Sequence, residues 1–291
     1  MKIAIFPHVD HTVTLAGDAN SHLEMLEGSE IMRHTSKILL GLAVAGMAAA
    51  PSVQAETKAG DFTVTSNVSL TSDYVWRGIS QTDRDPALQG GFKVSHDLGL
   101  YVGVWGSNVD FDGGAPAVDG GLPHLEVDIN GGFAKEFSNG MSVDVGYLHY
   151  AYPGSAARMG SAFGEYYLGL GYKIAGVGLT TKYSFSPDFS GAADAAGNLV
   201  GSQSASYVEG QADYEFPEKI KASAHYGYSF GDYFKIPSSS KGYGDYRIGL
   251  SREFVGLDFG VNLYGTDGDG KNYALPRLTK DRVVLSVSKT F

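Results

Sequence analysis

From residue 62 to the C-terminus the chain alternates apolar and polar residues with a period of two, in segments joined by connections that are by turns short and long. Period-two patterning sends successive side chains to opposite faces of a strand. In "HLEVDINGGF" (124–133), Leu125, Val127, Ile129 and Phe133 alternate with Glu126, Asp128 and Asn130. In "GEYYLGLGYKI", Tyr166, Leu168, Leu170, Tyr172 and Ile174 oppose Glu165, Gly169, Gly171 and Lys173. The same reading gives strands at 62–72, 86–96, 99–108, 124–137, 140–150, 162–174, 177–185, 205–216, 219–230, 242–254, 256–265 and 281–291. The third is least clear, because Leu100, Val102 and Val104 compete with Tyr101 and Trp105. No stretch beyond Glu56 reads as a convincing helix.

Short turns fall near Asp97, at Ser138-Asn139-Gly140, Ala175-Gly176, Pro217-Glu218 and Val255-Gly256; Asn-Gly is a strong hairpin signal. Long connections span 73–85, 109–123, 151–161, 186–204, 231–241 and 266–279. Strict alternation of the two predicts an all-β, up-and-down antiparallel barrel of about 12 strands, with tight turns at one rim and loops at the other.

Parity alone does not say whether the apolar face looks inward or outward. A soluble barrel hides it, whereas a transmembrane barrel turns it to lipid. Three features favour the membrane. The first is an export signal: basic "MRHTSK" (32–37), apolar "ILLGLAVAGMAAA" (38–50) and "VQA" (53–55) for cleavage after Ala55. That apolar run is shorter than the ~18 residues of a spanning helix. Upstream, Lys2 stands against Asp10, Asp18, Glu24, Glu27 and Glu30, the wrong charge order for export. Residues 1–31 therefore read as an over-extended start, 32–55 as signal peptide and 56–291 as the barrel. The second feature is the placing of Tyr and Phe near strand ends, where a girdle at the membrane interface would lie. The third is the ending "DRVVLSVSKTF". It resembles the C-terminal signal by which outer-membrane barrels are recognised by their assembly machinery, with Phe291 as terminal residue. It departs from that pattern at Lys289, where an apolar or aromatic residue is usual. A secreted soluble β-sandwich is the competing reading.

Composition agrees with this picture. The chain of 291 residues has 40 Gly, 18 Tyr and 15 Phe, and no cysteine for disulfides or thiolate metal sites. A net charge of −10 argues against nucleic acid as a partner. The partners expected are the outer-membrane bilayer, the assembly machinery and small solutes.

With the apolar parity outward, the inward set contains Glu126, Asp128, Asp144, Glu165, Glu209, Asp213, Glu253 and Asp258 against Lys93, Lys173, Lys182, Lys221, Arg247 and Arg282, with Arg77 at the rim. Such groups would line an aqueous path and tune ion selectivity, or pair across a narrow interior and plug it. About 8 strands give a filled barrel and about 16 an open channel, so 12 suggests a narrow pore. The charge count supports at most a slight cation preference. The outer girdle would comprise Tyr74, Trp76, Tyr183, Phe185, Tyr226, Tyr228 and Phe230, with the first strand continuing through Trp76 and Gly78 turning the chain into a polar loop.

"TSDYVWRGISQT" followed by "PALQGGF" resembles the signature of the TorF-type porin family, the Gcw group of proteobacterial conserved outer-membrane proteins. Tyr74, Trp76, Arg77, Gly78, Gln81, Pro86, Gln89, Gly90 and Phe92 carry the likeness. "EVDINGGF", "DVGYLHYAYPG" and "EYYLGL" extend it over most of residues 62–291. The resemblance implies an outer-membrane barrel and passive diffusion, and says little about solute.

Chemistry is sparse. "GTDGDGKN" (265–272) falls short of a phosphate-binding loop, with Asn272 in place of the hydroxyl and no helix expected to follow. Asp267 and Asp269 lack the bidentate Glu of a calcium loop. Asp110, Asp112 and Asp119 read as solvated loop charge. His96, His124, His149 and His225 are scattered, and no nucleophile motif stands beside His149, so a membrane hydrolase has little support. No cofactor is implied. The expectation is a non-enzymatic pore; the alternative is a closed barrel whose loops bind a ligand or partner. The small, polar 186–204 connection could fold into the lumen as a constriction.

Overall fold

Backbone hydrogen bonding in a sheet leaves two edges, and only closure removes both. The computed structural model describes residues 57–111, 123–154, 162–189, 203–235 and 241–291. They form a ring. The order is β1 (Thr57–Ala59), β2 (Phe62–Thr71), β3 (Val75–Trp76), β4 (Ile79–Ser80), β5 (Ala87–His96), β6 (Leu100–Asn108), β7 (Leu125–Glu136) and β8 (Met141–Ala151). Then come β9 (Phe163–Ile174), β10 (Val177–Phe189), β11 (Gln203–Phe216), β12 (Ile220–Phe230), β13 (Gly242–Phe254), β14 (Leu257–Thr266) and β15 (Arg282–Thr290). Each strand from β5 to β15 pairs antiparallel with its successor. The ring shuts where β2 pairs with both β5 and β15. The barrel therefore has twelve strands, β2 and β5 to β15, as the alternation predicted. β1 is a short addition on the edge of β2, with Thr57 opposite Val64.

Turn chemistry explains the tight rim. Ala175-Gly176 and Val255-Gly256 join strands that pair to the last residue, and both positions of each turn have positive φ (50° and 82°, 48° and 75°). That is the two-residue turn whose twist matches the flanking strands. The long connections lie at the other rim.

The apolar parity faces outward. Leu88, Phe92, Val102, Ile129, Val145, Leu168, Val208, Ile248, Leu250, Val261 and Val283 are all exposed, Ile248 at 59% and Leu88 at 62%. An encircling belt of this kind far exceeds the few hundred Å² of apolar patch a soluble surface carries, so it is a lipid-facing surface. The 11 residues of β12, tilted as in membrane barrels, cover a band about 25 Å high. β6 is resolved by the same rule: Leu100 and Val102 are exposed outside, while Tyr101 and Trp105 pack inside.

Two expectations fail at the outer rim. The first strand stops at Thr71 instead of running to Trp76. Thr71 Oγ1 donates to the Asp73 carbonyl (2.7 Å) and Tyr74 N–H donates to Thr82 Oγ1 (3.1 Å), so side chains take over from a strand partner and the chain bends inward. The connection after β14 is also more than a loop. It forms two short helices, α1 (Gly268–Tyr273), capped by Asp267 accepting from Gly270 N–H, and α2 (Pro276–Thr279), which starts on proline. The segments expected to be an over-extended start (1–31) and a signal peptide (32–55) lie outside the described residues, as do Asp112, Asp119 and 190–202 of the 186–204 connection.

Candidate functional site

The stretch between β2 and β5 folds into the bore. β3 and β4 form a hairpin, Val75 opposite Ser80 and Trp76 opposite Ile79, extended by a Gln81 N–H to Tyr74 carbonyl bond (2.7 Å). Its tip is Arg77-Gly78, with φ of 46° and 77°, the same two-residue turn as at the other rim. Going round the ring from β2, the strands directly opposite are β10 and its neighbours β9 and β11. The hairpin reaches all three. Arg77 Nη2 donates to both oxygens of Glu165 on β9 (2.8 Å each), with both side chains almost fully buried. The Arg77 guanidinium lies 4.0 Å from the Tyr207 ring centroid on β11 and 4.3 Å from Trp76. Trp76 stacks on Phe189 at the end of β10, and packs edge-on to Tyr150.

The remaining anchors are spread around the wall. Tyr74 hydroxyl donates to Glu126 on β7 (2.9 Å), Tyr243 hydroxyl on β13 donates to the Arg77 carbonyl (3.1 Å), and Arg282 on β15 donates to Asp73 (3.0 Å). Asp83 accepts from Arg277 of α2 (2.5 Å). Burial raises the Asp73 carboxyl despite its bonds from Ser80 and Arg282. Burial, then the Glu126 carboxylate, pushes the Tyr74 phenol well up. Burial opposes the Arg77 charge, but Glu165 beside it outweighs this and holds the guanidinium protonated.

At the outer end of the bore an apolar cluster packs around the hairpin. Ile79, Tyr150, Phe163, Phe189, Tyr233, Phe234, Tyr243, Tyr273 and Leu278 are buried together, with Trp76 and Leu275 against them. The second half of the 266–279 connection, "YALPRL", supplies three of these residues.

The inward-facing set forms two charged groups on the wall. Glu126 and Asp128 on β7 and Glu165 on β9 lie near one another, Glu126 bonded to Tyr74 at the base of the hairpin and Glu165 to Arg77 at its tip; the Tyr150 hydroxyl also donates to Glu165 (3.3 Å). Further round the wall, Glu209 takes Lys182 (2.8 Å) and His225 (3.0 Å), while Tyr207 hydroxyl donates to Asp245 (3.0 Å). Below them Arg247 donates to Gln211 (2.7 Å), and Gln211 to Asp213 (2.7 Å). Asp144 accepts from Tyr101 (2.7 Å), whose ring lies 5.7 Å from Lys93 Nζ. Nearer the tight-turn rim, Lys173 pairs with Glu136 and Glu253 with Lys219. Lys221 and Asp258 sit on the same inward parity, opposite Ser251 and Ser288. Asp245 and Asp73 were missed. Asp245 shares parity with Arg247 and was readable from the alternation; Asp73 lies beyond the strand, where alternation has no meaning. Among the described residues no group of three or more His, Asp or Glu is arranged to hold a metal ion.

The girdle needs one correction. Tyr74 (7% exposed) and Trp76 do not face lipid; both are turned into the bore by the hairpin. Tyr183 and Tyr226 are exposed outside, with Phe185, Tyr228 and Phe230 on the same outward parity, Tyr228 and Phe230 stacked. Phe291 is half exposed, and its backbone exchanges two hydrogen bonds with Ser66. Lys289 shares the outward parity, and its ammonium reaches back to the Gly256 carbonyl (3.2 Å), the snorkelling of a long side chain at an interface.

The profile of a family described as bacterial protein of unknown function (Gcw_chp) matches residues 55–291. No curated protein matches the sequence. Among solved structures, the NanC porin aligns with a TM-score of 0.51 at 10% identity, over 78% of this chain and 98% of that one. The KdgM porin aligns with a TM-score of 0.49 at 9% identity over the same shares. At such identity the NanC likeness is one of fold. A closed twelve-stranded barrel with a lipid-facing belt, tight turns on one rim and long connections on the other is a barrel of the bacterial outer membrane.

Proposed function

The chain belongs to the Gcw_chp family of bacterial proteins, and we propose that it is an outer-membrane pore through which small solutes or ions diffuse passively. The observation that supports this most is the inner wall. It carries ionisable and polar side chains from the tight-turn rim (Lys173, Glu253) through Asp144 and Arg247 to the Glu126–Asp128–Glu165 group beneath the hairpin. A wall meant only to pack would be apolar; this one suits water and ions. At the hairpin tip Glu165 meets Arg77, and further round the wall Glu209 meets Lys182 and His225. Over the whole inward set acids slightly outnumber bases, so the path would have a slight preference for cations. No covalent step is required. Phe291, closing the strand that seals the ring, is the residue we read as the docking signal for barrel assembly.

The test is single-channel conductance of the refolded barrel in a planar bilayer under a salt gradient. Discrete steps with a reversal potential on the cation side are expected. Silence from folded, heat-modifiable protein would overturn the pore reading and favour the second one, a closed barrel that binds a ligand at its outer mouth. That reading draws on the apolar cluster there, which borders a pocket of about 60 Å³ lined by Trp76, Arg77, Phe189, Tyr233, Tyr243 and Tyr273.

A further inference from the structure

We infer that the β3–β4 hairpin is the internal constriction of this barrel, and that Arg77 at its tip sets both the size and the charge selectivity of the path. The inference rests on the pore reading. Four observations carry it. First, topology: the hairpin springs from between β2 and β5, Gly78 at its tip lies against β13 and β14, and the Arg77 side chain reaches Glu165 on β9 and Tyr207 on β11, on the far side of the ring. Second, position: it lies inside the barrel and outside the twelve-strand ladder, held by side chains on β7, β9, β13 and β15 and by no barrel strand's backbone register. An element of this kind can shift while the ring stays closed. Third, charge: Arg77 is paired with Glu165, which lies within electrostatic reach of Asp128. Its guanidinium uses Nη2 for Glu165, and the flanking rings of Trp76 and Tyr207 fix its plane. Fourth, the residues of the signature stretch have their places here. Tyr74, Trp76, Arg77, Gly78 and Gln81 are the hairpin, and Ala87, buried at the top of β5, packs with Tyr74 at its base.

The consequence is specific. An ion crossing from either side must pass beside the hairpin, whose tip is held to the wall by the guanidinium of Arg77 on Glu165. Removing that guanidinium leaves the carboxylate unopposed, while removing the carboxylate frees the guanidinium to repel cations.

The test uses the full barrel in planar bilayers, with heat-modifiable mobility as the check on folding. Arg77→Gln should raise conductance at least twofold and move the reversal potential further toward cations. Glu165→Gln should move it the other way. Because the chain has no cysteine, Arg77→Cys offers a rescue: aminoethyl methanethiosulfonate, which restores a positive charge at the tip, should return selectivity toward wild type, and an uncharged methyl reagent should not. A double variant, Trp76→Ser/Ile79→Ser, strips the hairpin of its apolar seat without touching a barrel strand and should conduct several-fold more. Wild-type steps left unchanged by these substitutions would overturn the constriction and leave the pore standing. A silent wild type with a conducting Trp76→Ser/Ile79→Ser variant would overturn the pore reading, and with it Arg77 as a selectivity element, while showing that the hairpin closes the barrel. Silence from both, in folded protein, would overturn the pore and the constriction together.

Discussion

At Gly78 two demands coincide. Its φ of +77° costs an L-residue roughly 1–2 kcal/mol, and a β-carbon there would stand 2.5 Å from Thr266 Cγ2 and 2.9 Å from Asp245 Cβ. Both are wall atoms, on β14 and β13, so there is little to give way. Gly154 has a similar φ of +83° but, among the described residues, nothing within 4 Å of its would-be β-carbon. The comparison separates backbone strain from steric exclusion. Gly78→Ala should unseat the hairpin while the barrel stays closed, and Gly154→Ala should not. Trypsin reads this directly, because the Arg77 side chain is almost fully buried in the seated hairpin. Limited digestion of the folded Gly78→Ala protein should give a new cut after Arg77, absent from wild type and from Gly154→Ala. Equal protection of all three would mean that the tip tolerates the methyl group.

The strand is the unit in which the sequence was most legible. Its period-two signal repeats twelve times, and an apolar belt leaves each strand one register relative to lipid. Element bounds agree to within a few residues, with the largest extension at the outer end of β10. The hairpin escaped because its arms are two residues each, too short for alternation to show. Extrapolating the parity of β2 past Thr71 then put Tyr74 and Trp76 on the wrong face. A usable signal was present: Arg77-Gly78 has the form of Ala175-Gly176 and Val255-Gly256, turns that were recognised. The Gly-Asp half of the 266–279 connection reads as loop, while its apolar half carries the burial signal. Of the charged wall, alternation placed the residues on a face but could not pair them, since pairing depends on which strands meet across the bore. The belt itself is testable. Ile248 sits at the middle of β13, outward and exposed, so Ile248→Arg should lower the unfolding free energy in bilayers by about 2–4 kcal/mol. Ser251, on the inward parity of the same strand, should tolerate Ser251→Glu at little cost. Equal effects at both positions in denaturant titrations would mean that β13 does not present the face assigned to it.

A barrel is as continuous as its last seam, and here the seams are unequal. β10 and β11 are in register from Val177–Tyr214 to Ser186–Ala205, and β12 and β13 along the full length of β12. Where the chain's two ends meet, β15 and β2 register at Lys289–Val68 and Thr290–Asn67. Backbone bonds between Phe291 and Ser66 lie at one end of this seam, and one from Ser72 N–H to the Leu285 carbonyl (3.1 Å) at the other. At that outer end Ser72 Oγ accepts from Leu285 N–H (3.0 Å), a side chain standing in for a strand carbonyl. The same residue begins the departure of the chain into the bore, so seam and hairpin share an origin: β2 cannot both continue its ladder with β15 and release the segment that enters the lumen. Local opening follows the weakest ladder. The amides of Val287 and Leu70, between the two anchored ends, should therefore exchange with solvent deuterium well before those of Val208 on β11 or Leu263 on β14. Hydrogen exchange with mass spectrometry on the barrel in micelles resolves these segments. Faster exchange confined to 68–71 and 285–289 would locate the first opening at the closing seam, and uniform protection around the ring would show that closure costs the barrel nothing.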